Sequence, residues 1–170
     1  MILSFPLVQR EGVRSKRIVS GSFDKTLKVW DAQTGQETLT LRRHSDAVHS
    51  VSFSPDGKRI VSGSGALNKP GEIKVWDAQT GKETLTVKGH SDVVVRVSFS
   101  PDGKRVVSSS TDATLKVWDA QTGQETLTLK GHAGSSWCVL FFTPDGKRIV
   151  SGSADGTLKV WDISSLATSK

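Results

Sequence analysis

The dipeptide Trp-Asp occurs four times in the chain, at Trp30-Asp31, Trp76-Asp77, Trp118-Asp119 and Trp161-Asp162, with separations of 46, 42 and 43 residues. Each pair closes a near-copy of one phrase. A fixed period of about 40–45 residues ending in this way marks a stack of four-stranded β-sheet blades. That moves the search for function away from a catalytic pocket and onto the exposed edges and loops of a scaffold.

The base period is 42; the second unit is lengthened within Gly65–Gly71 and the fourth by one residue within Ala133–Ser136. Outside these insertions the units agree closely. Ser-Phe-Ser-Pro-Asp-Gly-Lys-Arg stands at 52–59 and 98–105, and Ala-Gln-Thr-Gly at 32–35, 78–81 and 120–123. Val48, Val51 and Phe53 mark a first strand, echoed by Val94, Val97 and Phe99 and by Trp137, Leu140 and Phe142. Pro-Asp-Gly then supplies a tight turn, because proline presets φ and glycine tolerates φ > 0. Arg-Ile-Val-Ser-Gly-Ser at 59–64 and Leu27–Trp30, with their copies, give the second and third strands; Glu37–Leu41, Glu83–Val87 and Glu125–Leu129 give the fourth. Val and Thr enrichment with frequent turn residues is the all-β pattern.

The chain's 170 residues suit one domain, 1–170. Blade one is partial and spans 1–43, blade two 44–88, blade three 89–130, and blade four 131–170 without a clear last strand. No apolar run approaches the roughly 18 residues of a membrane span, and the N-terminal stretch lacks the pattern of a signal peptide. Cys138 is the only cysteine, which excludes an intramolecular disulfide and fits a reducing, cytoplasmic setting. The net charge of +6 is uneven: residues 1–43 hold eight Lys/Arg against four Asp/Glu, and residues 44–170 fifteen against thirteen. A uniformly basic face is not indicated, so nucleic acid is disfavoured as a partner.

From about Arg17 to Asp162 these phased copies resemble the WD-repeat family of β-propellers. The resemblance implies blades of four antiparallel strands packed around an axis, a scaffold that assembles other proteins, and neither cofactor nor catalysis. Family propellers carry a network in each blade: a His before the first strand, a Ser on the second, an Asp before the third, and the Trp of Trp-Asp. Mapped here, this assigns His90, Ser108, Asp112 and Trp118 to blade three and His132, Ser151, Asp155 and Trp161 to blade four. Blade two offers His44, Ser62 and Trp76, but its insertion removes the Asp; blade one has Ser20, Asp24 and Trp30 without the His. A Ser-His-Asp hydrolase uses the same residue types. The structural role is favoured, because repeated copies of one active site in one chain are improbable and buried indole, hydroxyl and imidazole groups need partners.

Both ends depart from a complete ring. Leu3-Ser4-Phe5 is a degenerate first strand for blade one, and Ile163–Lys170 is unlike the usual fourth strand. Two arrangements follow: an open arc, whose open blade edges invite self-association, or a closed ring in which Ile2–Val8 supplies the outer strand of the last blade. The arc is favoured, since four blades would need unusually strong curvature.

Lys16-Arg17, Lys58-Arg59, Lys104-Arg105 and Lys147-Arg148 would fall near one face and read as a solvated rim, with anion binding the alternative. Asp-Gly turns lack the ligand spacing of a calcium loop. The reading is therefore a protein-interaction scaffold without cofactor or metal, with a fragment of a larger regulatory protein as alternative. Candidate partner contacts, from loop placement alone, are Asp46, His49, Leu67, Lys69, Asp92, Arg96, Thr111 and Trp137. An exposed Trp137 would be a typical anchor, and the Gly65–Gly71 loop carries an apolar tip.

Overall fold

The computed structural model describes residues 2–4, 16–132 and 139–168. Four antiparallel sheets follow one another along the chain. The first holds β1 (Ile2–Ser4), β2 (Arg17–Gly21), β3 (Leu27–Asp31) and β4 (Glu37–Leu41). The second holds β5 (Val48–Phe53), β6 (Arg59–Ser64), β7 (Gly71–Asp77) and β8 (Glu83–His90). The third holds β9 (Val94–Phe99), β10 (Arg105–Ser110), β11 (Thr114–Asp119) and β12 (Glu125–Lys130). The last has three strands, β13 (Val139–Phe142), β14 (Arg148–Gly152) and β15 (Leu158–Asp162). A short 3₁₀ helix, Ser164–Thr168, follows β15 where the other sheets continue into a fourth strand. Among the described residues no helix is long and apolar enough to cross a membrane.

The turns explain the repeated words of the sequence. In the hairpin after β5, Gly57 sits at φ 70° and its N–H donates to the Ser54 carbonyl over 2.8 Å. The Asp56 carboxylate accepts from the Ser54 hydroxyl at 2.6 Å and from the Lys58 amide at 3.0 Å. The aspartate of each Trp-Asp pair has its own task. Asp31 accepts the amides of Gln33 and Thr34 at 2.9 and 2.8 Å, which folds Gln-Thr-Gly into the turn leading to β4. Those amides hold the Asp31 carboxyl below its usual range. Asp77 and Asp119 repeat the pattern before β8 and β12. Asp162 accepts instead from the Ser164 amide at 2.9 Å and starts the 3₁₀ helix, so the chain after the last Trp-Asp takes a different path.

Packing runs sheet to sheet in three clusters. Val19, Leu27, Val29 and Leu41 of the first sheet meet Val48, Val51, Phe53, Ile60 and Trp76 of the second. Val61, Ile73, Val75 and Val87 meet Val94, Val97, Phe99, Val106 and Trp118. Val107, Leu115 and Val117 meet Leu140, Phe142, Ile149 and Ile163. Each joint thus pairs one face of a blade with the opposite face of the next, and burial of alternate residues on both faces drives the stacking. The sheets come close enough to constrain composition: a Cβ at Gly63 would stand 2.6 Å from Val94 Cγ1, so glycine is needed there.

The result is an open arc. β1 pairs antiparallel with β2, Leu3 opposite Ser20, so the N-terminal residues 2–4 are the inner strand of the first sheet. The closed-ring alternative, with Ile2–Val8 on the outer edge of the last blade, is overturned for these residues by that pairing. Residues 5–8 lie outside the described residues.

Candidate interaction surface

Each antiparallel meander puts its β2–β3-type hairpin and the loop entering its first strand at the same end of the blade. That end carries the relays and the candidate contacts. In blade three the Trp118 indole N–H donates to Ser108 Oγ at 2.8 Å, Ser108 Oγ lies 2.7 Å from His90 Nε2, and His90 Nδ1 lies 2.8 Å from Asp112 Oδ2. One direction of donation satisfies every group: indole to hydroxyl, hydroxyl to Nε2, and Nδ1–H to carboxylate. The ring of His90 also meets Trp118 edge to face at 5.9 Å. Burial raises the Asp112 carboxyl, but hydrogen bonds from His90 and Thr114 outweigh it and hold the group well below its usual range.

Blade four repeats the relay through Trp161, Ser151 and His132, with both inner contacts at 2.8 Å. Its outer end is looser, since His132 Nδ1 is 3.4 Å from Asp155 and 3.2 Å from the Thr157 hydroxyl. Blade one keeps the Trp30-to-Ser20 bond at 2.9 Å.

Blade two corrects the sequence reading. Its relay is complete, because Glu72 supplies the carboxylate that the insertion seemed to remove: His44 Nε2 lies 2.6 Å from Ser62 Oγ and Nδ1 lies 2.9 Å from Glu72 Oε1. Glu72 stands on β7 opposite Ser64, at the position held by Thr114 and Thr157 in the next two blades. There the threonine hydroxyl already touches the histidine, and a longer acidic side chain from the same position takes over the work of the missing aspartate. The signal was available in sequence: the one blade without the hairpin Asp is the one with Glu for Thr.

Burial pushes the His44 pKa down, and the hydrogen bond to Glu72 does not offset it. His44 is therefore neutral in the folded protein, and its folded pKa lies below the free value of about 6.5. As pH falls below that value the unfolded chain takes up a proton that the folded blade resists, so stability is lost through the window down to the folded pKa. We expect the melting temperature to drop as pH falls below about 6.5, with a shallower drop for His44→Gln. Parallel pH profiles for the two proteins would contradict the assignment.

The Ser-His-Asp connectivity invites a hydrolytic reading, yet Ser62, Ser108 and Ser151 are fully buried and each already accepts an indole N–H. A substrate carbonyl has no approach to these hydroxyls in this arrangement.

The candidate contacts divide by exposure. Leu67 and Lys69 project from the insertion loop, Leu67 being 70% exposed. His49 is partly buried and ties the loop down, its Nε2 lying 3.0 Å from the Gly65 carbonyl. Asp92 is spent on structure, accepting from the Asn68 and Val93 amides at 3.2 and 2.8 Å. Arg96 bonds the carbonyl of Val95, and Thr111 and Asp46 are partly buried. Trp137 lies outside the described residues. A residue that sequence reading passed over joins the group: Phe23, in the β2–β3 hairpin, is 66% exposed and meets the His49 ring edge to face at 5.5 Å. Phe23 and His49 thus link the first hairpin to the base of the Gly65–Gly71 loop, whose Asn68 amide reaches on to Asp92 of blade three.

The Lys-Arg pairs are not a uniform solvated rim. Lys16, Lys58, Lys104 and Lys147 are exposed, but Arg17, Arg59 and Arg105 cross to the next blade. Arg17 donates to the carbonyls of Ala78 and Gly57 at 2.7 and 2.6 Å, and its guanidinium lies 5.3 Å from the Phe53 ring centre. Arg59 repeats this on Ala120, Gly103 and Phe99, and Arg105 on Gly146 and Phe142. These three guanidiniums are committed to holding blades together, which withdraws three of the eight cations of the Lys-Arg pairs from anion binding.

A family model described as "WD domain, G-beta repeat" matches residues 13–31, 35–77, 81–119 and 123–162. The later units each begin in the turn just before the fourth strand of one sheet and end at the last residue of the third strand of the next sheet. Coronin-7 of Mus musculus is 44% identical over 45 residues, covering 26% of this chain and 5% of that protein. The F-box-like/WD repeat-containing protein TBL1Y of Homo sapiens is 51% identical over 41 residues, 24% of this chain and 8% of that protein. Ribosome assembly protein 4 of Chaetomium thermophilum is 46% identical over 46 residues, 27% of this chain and 9% of that protein. The matched stretches thus span less than a tenth of the length of these curated relatives.

Proposed function

Because the chain belongs to the WD domain (G-beta repeat) family, we propose that it is a non-catalytic scaffold whose loop face binds another protein. The observation that carries this reading is the linked set of Phe23, His49 and the Leu67 loop. Two large apolar side chains stand exposed there at hairpin tips, held in place by hydrogen bonds below them, as binding anchors are. The rest of the face varies little from blade to blade, so these odd positions supply specificity. The 170 residues act as one domain, and an intracellular setting is part of the reading, supported by the single cysteine.

Affinity capture from cells with the wild-type protein and with Phe23→Ala/Leu67→Ala tests the proposal. Both side chains are exposed, so the variant folds as the wild type does. Loss of about tenfold or more in partner binding is expected for a truncated anchor pair. An unchanged set of partners at unchanged affinity would remove these residues from consideration.

A further inference from the structure

We propose that the uncovered face of blade four docks on the uncovered face of blade one of a second copy, head to tail, so that two arcs close into one ring. The internal joints serve as the template. In each, a donor face offers a second-strand Val, a third-strand Leu or Ile and Val, and an arginine. The acceptor face of the next blade offers Val or Leu and Phe on its first strand, Ile or Val on its second, the Trp of Trp-Asp, and carbonyls for the guanidinium, two in the first two joints and one in the third.

Blade four carries a donor half that no described residue covers. Leu158 and Val160 are 65% and 60% exposed, whereas their counterparts Leu27, Val29, Leu115 and Val117 are at most 1% exposed. Phe141, opposite Val150 and in line with Val160, adds to the same face, again exposed. Arg148 occupies the latch position but is exposed, with no hydrogen bond from its guanidinium to the described residues. Gly152, opposite Leu158, keeps the position that Gly21 and Gly63 use to admit a neighbour's valine.

On blade one the described acceptor positions of the second and third strands, and the turn after them, match this half. Ile18 and Trp30 are only partly buried where Ile60 and Trp76 are buried, and Ala32 is exposed where Ala78 is buried beneath Arg17. The β1–β2 register puts Leu3 opposite Ser20, as Val51 stands opposite Ser62. Charge and hydrogen bonding choose between arrangements. Two donor faces packed on each other would oppose two Arg148 side chains with no carbonyl to receive them. The head-to-tail joint gives each Arg148 the Ala32 carbonyl of the other copy. Such a joint is heterologous, and two copies related by a two-fold axis satisfy it twice.

Light scattering across a dilution series tests the proposal. The expected mass is twice 18.3 kDa. Leu158→Glu and Ala32→Arg alter exposed positions, leave the far-ultraviolet dichroism unchanged, and each weakens dimerisation by about a hundredfold or more. Mixing the two variants restores a one-to-one dimer, because one intact joint remains between an Ala32→Arg donor face and a Leu158→Glu acceptor face. A wild-type monomer at all concentrations would overturn the proposal. So would an Ala32→Arg protein that dimerises normally, which indicates a face-to-same-face contact, or a mixture that stays monomeric. The inference is independent of the loop-face reading, since Phe23→Ala/Leu67→Ala leaves the mass unchanged.

Discussion

Replacing Ser108 with alanine is expected to lower stability by about 4 kcal/mol, far more than one hydroxyl is ordinarily worth. The hydroxyl serves two groups at once, receiving the Trp118 indole N–H and giving its proton to His90. Both partners are nearly inaccessible, so water cannot replace the lost atom. Each orphaned buried group costs roughly 1–3 kcal/mol, and the cavity left by the oxygen adds little. Ser151→Ala in blade four is the control. It breaks the same two bonds, but Trp161 is partly exposed and recovers a water, so the loss is smaller. Denaturant melts followed by tryptophan fluorescence report both. Equal losses at the two sites would show that accessibility of the partners does not set the cost.

That contrast bears on what could be read from the chain directly. The strands were legible because alternation of apolar residues and Pro-Asp-Gly turns are local signals, repeated often enough to average out noise. The relay in blades three and four was legible for the same reason: His90, Ser108, Asp112 and Trp118 recur in phase with His132, Ser151, Asp155 and Trp161. Glu72 was missed because alignment by position marked an absence at the hairpin, whereas the chemistry is a carboxylate reaching His44 from the adjacent strand position. Phe23 escaped notice because nothing in its own unit repeats it, and its partner His49 belongs to another blade. The arginines were assigned to a rim because neighbouring lysines and turn residues suggested solvent. Their acceptors lie about one to one and a half repeats away in sequence, as from Arg17 to Gly57 and Ala78, and no local pattern encodes that distance. What is periodic within a blade can be read; what passes between blades has to be seen.

The joint between blades gives the second large effect. Arg59→Met keeps an apolar stem over Phe99 but deletes the donors to the Gly103 and Ala120 carbonyls. Hydrogen bonds from a charged donor are worth about 1.5–3 kcal/mol, and the guanidinium over the ring adds roughly 0.5–1 kcal/mol. Because Arg59 is partly exposed, we expect a net loss of about 2 kcal/mol, as solvent recovers part of each carbonyl. The form of the melt is more telling than its midpoint. An array of blades is held together by nearest-neighbour terms, so weakening the second joint uncouples the first two blades from the last two and broadens the transition. Two internal comparisons isolate the latch. Lys58→Met changes the adjacent, exposed cation and should shift stability by less than about 0.5 kcal/mol. Arg148→Met makes the same exchange at the same place in the repeat, where no described residue receives the guanidinium, so the stability of the dilute 170-residue chain stays within that margin. A loss from Arg148→Met equal to that from Arg59→Met would mean that the arginine stabilises its own blade, and the account of the joints would have to be rebuilt on contacts within each sheet.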